Sequence, residues 1–256
     1  MAKFKSDEEI DLLRESGKRL ARVLQLVGGE IKPGVTTKYL DEVAERLIRE
    51  TGDMPPFLNY TPHGARKPFP ASLCVSVNDE IVHGIPGPRV IMDGDIVTID
   101  LGLAHKGMIT DAALTFPVGN VPEKVLTLIK ETEHSLNEGI KAMRVGGRIG
   151  DIGAAIERVA HAHKYGIIRE LGGHGVGHAV HEEPYVPNYG TKGTGPLLKA
   201  GMVLALEPMF TLGKEDIVIL PDGYTIVTED GSLSAHFEHT VAITADGIEV
   251  LTAQGE

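Results

Sequence analysis

The chain has 256 residues, 42% of them hydrophobic and 24% charged, the balance of a water-soluble globular protein with a sizeable core. A formal net charge of -11 excludes a general nucleic-acid binder, which neutralises phosphates with clustered Lys and Arg, and no long apolar run marks a membrane span. A single cysteine, Cys74, excludes an intramolecular disulfide framework, and with the polar start Met1 to Glu8 it predicts a cytoplasmic protein without a secretion signal.

Residues 7–27 repeat Ile10, Leu13, Leu20, Val23, Leu24 and Val27 at three-and-four spacing, which predicts an amphipathic helix ended by Gly28-Gly29. After Lys32-Pro33-Gly34, Thr37 reads as an N-cap, and Leu40, Val43, Ala44, Leu47 and Ile48 form the stripe of a second helix. Between Ser72 and Thr115 the pattern changes to β-branched runs over 73–77, 95–101 and 108–116, broken by turn residues. Helical spacing returns over 122–144 and 149–163, and from Gly172 onward the chain reads as strands and glycine-rich turns.

Helix pair, sheet, helix pair, sheet points to an internal duplication. Setting Gly34 on Gly146 places Leu40 on Ile152 and Glu45-Arg46 on Glu157-Arg158. Residues 94–100 likewise run parallel to 201–207, and an acid closes each segment, Asp100 or Glu207. The predicted fold class is α+β. One domain over 1–256 is built of two pseudo-twofold-related halves, about 1–120 and 121–256, with helices covering one face of a curved antiparallel sheet.

Asp is depleted in strand interiors, and a buried carboxylate without compensation is costly. Asp100 and Asp111 are nevertheless embedded in apolar strand sequence. A hairpin centred on His105-Lys106 sets them directly opposite each other, Cβ atoms about 4.5 to 5.5 Å apart, where like charges repel unless a proton or a cation intervenes. Glu207, before Pro208, and Glu238, within 233–241, stand in similar apolar surroundings. Either Asp alone could be solvated at an edge or paired with Arg. The nearby strands hold almost no Arg, so four such acids point to metal ions as the source of compensating charge.

Three histidines stand near glycine or acidic clusters: His83 before Gly84, His174 between Gly173 and Gly175, and His181 before Glu182-Glu183-Pro184. Glycine on both sides of His174 removes bulk and permits unusual backbone angles, as a loop bringing an imidazole close to a metal requires. Glycine-rich loops also cradle phosphates, but the spacings of those motifs are absent. His134, His161 and His163 fall on helical segments and are expected to face solvent.

Taken in order, the segments 76–86, 173–177, 181–184, 207–209 and 234–240, with Asp100 and Asp111 between them, resemble the motifs of type 1 methionine aminopeptidases over essentially the whole chain. The resemblance implies the pita-bread fold and two divalent metal ions. Asp111 and Glu238 would bridge both ions, Asp100 would complete one site, and His174 with Glu207 the other. Four carboxylates and an imidazole suit Mn(II), Fe(II), Co(II) or Zn(II) rather than Cu(I).

By the same resemblance Glu207 is also the general base, His181 supports the tetrahedral intermediate, and His83 contacts the scissile amide. Cys74, Tyr60 and Phe69 resemble the family's methionine pocket, with Tyr224 where the family commonly has Trp. The implied substrate is the N-terminal methionine of a nascent polypeptide, followed by a small residue. The implied setting is a monomer in the cytoplasm, in transient contact with the ribosome but not with DNA or membrane. Met1-Ala2 is itself such a substrate, so the chain is expected to lose its own Met1.

Two rival readings remain. An X-Pro aminopeptidase or prolidase of the same fold generally carries an additional N-terminal domain, for which this chain has no room. A non-catalytic protein-binding relative would have lost ligands, whereas all five are present.

Overall fold

The computed structural model describes residues 3–62 and 64–253; Met1 and Ala2, on which the self-processing expectation rests, lie outside them. Helix α1, Asp7–Gly28, begins at a capping box: the Ser6 hydroxyl accepts from Glu9 N while the Glu9 carboxylate accepts from Ser6 N. Helix α2, Thr37–Glu50, is capped by Thr36 rather than by Thr37. Thr36 accepts from Tyr39 N, and the Thr37 hydroxyl is engaged instead with the backbone of Gly87.

Strands β1 (Cys74–Val77), β2 (Glu80–Val82), β3 (Ile96–His105) and β4 (Met108–Pro117) follow, then α3 (Glu123–Ala142) and α4 (Ile149–His163). The remainder is β5 (Gly166–Ile167), β6 (Gly172–Gly175), β7 (Glu182–Pro187), β8 (Val203–Leu206), β9 (Met209–Thr211), β10 (Ile217–Ile219), β11 (Ile226–Thr228), β12 (Ser234–His236), β13 (Glu238–Ile243) and β14 (Ile248–Val250). The main sheet has the order β1-β3-β4-β13-β8-β6-β7, with β14 also paired to β13. His134, His161 and His163 are exposed on α3 and α4, as their helical positions predict. No helix among the described residues is long and apolar enough to cross a membrane.

Two apolar cores lie between helices and sheet. In one, Leu20, Val23 and Leu24 of α1 and Leu40 and Ile48 of α2 pack on Val97, Ile99, Leu101 and Leu103 of β3. In the other, Leu128 and Leu136 of α3 and Ile152 and Ile156 of α4 pack on Leu204, Leu206 and Val241. The two halves repeat each other in detail. Gly34 and Gly146 both have positive φ, and their N–H groups donate to Ile91 O and Leu198 O respectively. Isolated bridges join Thr36 to Val90 in one half and Arg148 to Leu197 in the other. Gly34 and Gly146 are the pair that the sequence repeat sets together.

The β3–β4 hairpin departs from the expected register. His105 pairs with Met108, so the turn is Lys106-Gly107, both with positive φ, and Asp111 lies opposite Gly102 while Asp100 lies opposite Ala113. A two-residue turn with left-handed backbone at both positions matches the twist of the flanking strands, and glycine at the second position favours it. The shift is two residues. Because side-chain direction alternates with period two, both acids stay on one face as diagonal rather than direct neighbours.

Candidate metal centre

Residues opposite one another in an antiparallel sheet point to the same face, so the pairing defines the floor of the site. One row crosses β1, β3, β4 and β13 as Cys74, Asp100, Ala113 and Glu238. His239 pairs with Leu206, which places Glu207, the next residue after β8, beside Glu238. His174 pairs with Ala205, which itself pairs with Thr240, and so joins the same face. The opposite face of β3, with Val97, Ile99 and Leu101, is the one the helices cover. Ala113 and Ala205 have short side chains, which leaves space above them for the acids and imidazole on either side.

The glycines flanking His174 act through space rather than through backbone angle. Neither has positive φ; a Cβ on Gly173 would lie 2.2 Å from Ala205 O, and one on Gly175 would lie 2.4 Å from Glu183 O. Only glycine lets β6 approach its neighbours this closely.

Ligand atoms of Asp111, His174 and Glu238 lie within 4.8 Å of one another, and all three residues are buried. Among the described residues no Lys or Arg pairs with Asp100, Asp111, Glu207 or Glu238; only imidazoles approach, His174 Nε2 at 3.5 Å and His236 Nε2 at 3.7 Å from the Glu207 carboxylate. Asp111 Oδ1 and Glu238 Oε1 are buried without a hydrogen-bond partner. Such oxygens cost free energy unless something positive meets them. Burial pushes Asp100 up to about 7, against the pull of its bonds with Asp111 and Cys74. Burial and then the neighbouring acids raise Asp111, Glu207 and Glu238 well above the usual carboxylate range.

The His174 imidazole is set for ligation. His174 Nδ1 donates to Gly175 O at 2.9 Å, which leaves the Nε2 lone pair facing the acids, and burial lowers this ring to about 3. Burial likewise lowers His83 to about 4. His83 also has a φ of 58°, a left-handed conformation that a non-glycine residue adopts at some cost. Four acids, two of them with an orphaned oxygen, and the His174 lone pair thus form a donor set that fits divalent cations.

Above this floor opens a cleft of about 550 Å³. Tyr60, Phe69, Cys74 and Tyr224, all singled out from the sequence, line it together with Phe57 and Val180. Phe69 and Tyr224 meet edge to face, centroids 5.2 Å apart, and the Tyr224 hydroxyl donates to Lys67 O. His83 and His181 line the same cleft, and Tyr60 OH lies 2.9 Å from His181 Nδ1. All five expected ligands, both further histidines and all four expected pocket residues therefore meet in one place.

Three contributors were not found by sequence reasoning. Phe57 sits in an irregular loop with no periodicity to mark it. Lys5, near the chain start, reads as solvated, yet its Nζ reaches Glu182 at 2.7 Å in a pair only 1% and 2% exposed. Glu182 also accepts from His178 N and Ala179 N, so this pair pins the loop that carries His181. His236 lies within the strand sequence 233–241, which assigns it no role, but its ring is buried beside Glu207.

Comparison with known proteins agrees with this geometry. The model of metallopeptidase family M24 matches residues 11–245. A methionine aminopeptidase of Clostridium perfringens is 47% identical over 97% of this chain and 98% of its own length. Methionine aminopeptidase 1 of Bacillus subtilis is 44% identical over 97% and 98%. The crystal structure of methionine aminopeptidase from Rickettsia prowazekii superposes with a TM-score of 0.94 at 38% identity, covering 99% of this chain and 100% of that one. A prolidase from Pyrococcus furiosus shares the fold with a TM-score of 0.77 at 22% identity, but this chain spans 66% of it. The fold class is that expected, the α+β pita-bread arrangement of two related halves. The chain therefore belongs to metallopeptidase family M24 and, within it, to the methionine aminopeptidases.

Proposed function

We propose that this chain hydrolyses the peptide bond after an N-terminal methionine when the second residue is small, using divalent metal held by Asp100, Asp111, His174, Glu207 and Glu238. The observation that carries this reading is the convergence of Asp111, His174 and Glu238 within 4.8 Å on a sheet face whose acids pair with no Lys or Arg among the described residues. Full-length similarity to methionine aminopeptidases supports it. Bound divalent ions supply Lewis acidity, lowering the pKa of a water and polarising the carbonyl. Their number is taken as two and their identity as Mn(II), Fe(II), Co(II) or Zn(II), in keeping with four carboxylates and an imidazole.

The protein's own groups do the rest. Glu207, raised by burial among other acids, takes the proton of the attacking water and passes it to the leaving amine. With Tyr60 OH donating to His181 Nδ1, 2.9 Å away, the His181 proton would sit on Nε2, where it can be given to the developing oxyanion. His83 contacts the scissile amide. The apolar cluster of Phe57, Tyr60, Phe69, Cys74, Val180 and Tyr224 holds the methionine side chain and excludes water from it. We place the protein in the cytoplasm as a monomer acting on nascent chains, in transient contact with the ribosome and with neither DNA nor membrane; one buried free cysteine accords with the cytoplasm, and a net charge of -11 with the absence of DNA binding.

The test is release of free methionine from a Met-Gly-Met-Met peptide compared with hydrolysis of an X-Pro dipeptide, each with and without added metal. Metal-dependent release from the first and not the second is expected; preference for the X-Pro substrate would establish the prolidase reading instead. A series of Met-X peptides tests the second position. Large side chains press against the metal-bearing strands, so Met-Ala is expected to turn over about 10²-fold faster than Met-Lys or Met-Leu. Equal turnover would refute that selectivity.

The acids also predict a pH dependence. Asp100 has a folded pKa of about 7, above its ordinary value of 3.8. Metal-free protein is therefore stabilised by protonation of this group at low pH, and that stabilisation is lost as pH rises through about 7. Metal binding requires the carboxylates ionised, so it releases protons and strengthens with pH. The gap in Tm between metal-saturated and metal-free protein should widen from pH 5 to pH 8. A gap independent of pH would show that these carboxylates are not the ligands.

A further inference from the structure

The geometry points to His236 as the residue that positions Glu207, an inference that rests on reading Glu207 as a metal ligand. His236 ends β12, and its ring is 1% exposed. Its backbone is fixed from two sides. His236 pairs with Met209 of β9, and its N and O both bond to Thr115 Oγ1, at 3.0 and 2.7 Å. Both ring nitrogens are nevertheless buried without a hydrogen-bond partner, and among the described residues no other side chain has two such atoms. An unpaired buried donor or acceptor is costly, so a side chain that fails twice invites a function.

The nearest acceptor is Glu207. Its two carboxylate oxygens face two different imidazoles, Oε1 toward His174 Nε2 at 3.5 Å and Oε2 toward His236 Nε2 at 3.7 Å. Its backbone carbonyl is held by Asn188 Nδ2, but among the described residues no side chain holds the carboxylate itself within hydrogen-bond range. A neutral imidazole carries one N–H. Placed on Nε2 of His236, that proton needs only a small turn of the Glu207 carboxylate to form a hydrogen bond. His236 then fixes Oε2 and leaves Oε1, on the His174 side, for the metal. His236 is not a ligand in this arrangement; it restrains the ligand and supports its ionised form.

The experiment titrates metal-free protein with Mn(II) by calorimetry and records the Tm of the metal-free state, for the parent, His236→Leu, His236→Gln and Glu207→Gln. His236→Leu should weaken Mn(II) binding by about 10- to 100-fold. Its metal-free Tm should be unchanged or higher, because Leu leaves no polar atom unpaired. His236→Gln, which keeps an N–H donor, should bind within a few-fold of the parent. Parental Mn(II) affinity in His236→Leu, or an equal loss in the Gln variant, would overturn the inference. If His236→Leu does not fold, His236→Met carries the same comparison. Parental affinity in Glu207→Gln would instead overturn the ligand reading on which the inference rests.

Discussion

Asp111→Ala and His174→Ala are expected to lose bound metal and aminopeptidase activity together, while remaining at least as stable as the metal-free parent. The reason lies in how the site is built. Asp111 is buried on the floor, its Oδ1 has no partner, and burial and Asp100 oppose its ionisation. A ligand in that position is a burden to the empty protein and an asset only when a cation is present, so truncation removes both effects. Metal at a hundred times its Kd stabilises the parent by about 2.7 kcal/mol, which for a chain of this size raises Tm by roughly 5 to 10 °C. Neither variant should show that rise. Asp100→Ala should behave in the same way. Thermal unfolding with and without Mn(II), metal content after dialysis and turnover of a Met-Gly peptide together decide the matter. Full metal occupancy in Asp111→Ala or His174→Ala would contradict the site described above.

The helices and the face of the sheet were legible because both depend on local periodicity. Leu20, Val23 and Leu24 at helical spacing, and Val97, Ile99 and Leu101 at alternate positions, meet in one core in the folded chain. The acids were legible for the converse reason, since Asp100 and Asp111 interrupt runs that would otherwise be buried. Register was not, because it depends on a single turn. Centring the hairpin on His105-Lys106 ignored Gly107, and Lys106-Gly107 takes the pair of left-handed conformations that the tight turn requires. The error preserved the face and changed the neighbour: Asp111 stands across from Gly102, not from Asp100.

What sequence could not supply was contact between residues far apart in the chain. Lys5 is buried only because Glu182, 177 residues away, accepts its charge. His236 gains meaning only beside Glu207, and Phe57 only once the loop before β1 folds over the cleft. The family resemblance reached the ligands and the pocket because it implies a role for each of them. Lys5 lies outside the matching segments, and His236 lies within 234–240 but has no role implied there.

His181→Ala separates chemistry from metal binding and has the second largest expected effect. His181 lines the cleft with its ring edge-to-face on His174, centroids 4.5 Å apart. Its Nδ1 is occupied by Tyr60 OH at 2.9 Å, so the ring is oriented from behind and its other nitrogen is free to donate into the cleft. The loop beneath it is held by the buried Lys5–Glu182 pair, which limits the freedom of the ring before substrate arrives. A donor of this kind, preset toward a developing oxyanion, is worth roughly 3 to 4 kcal/mol, or about 10²- to 10³-fold in kcat. His181→Ala should lose that factor in kcat while retaining the parental metal content and the parental Tm gain with Mn(II). His83→Ala should behave similarly if His83 contacts the scissile amide as proposed. Tyr60→Phe should lose less than His181→Ala, because the imidazole remains and only its tautomer and tilt are released. Loss of metal from His181→Ala would make His181 a ligand and the five-residue set wrong; unchanged kcat with metal retained would leave the oxyanion without the donor assigned to it.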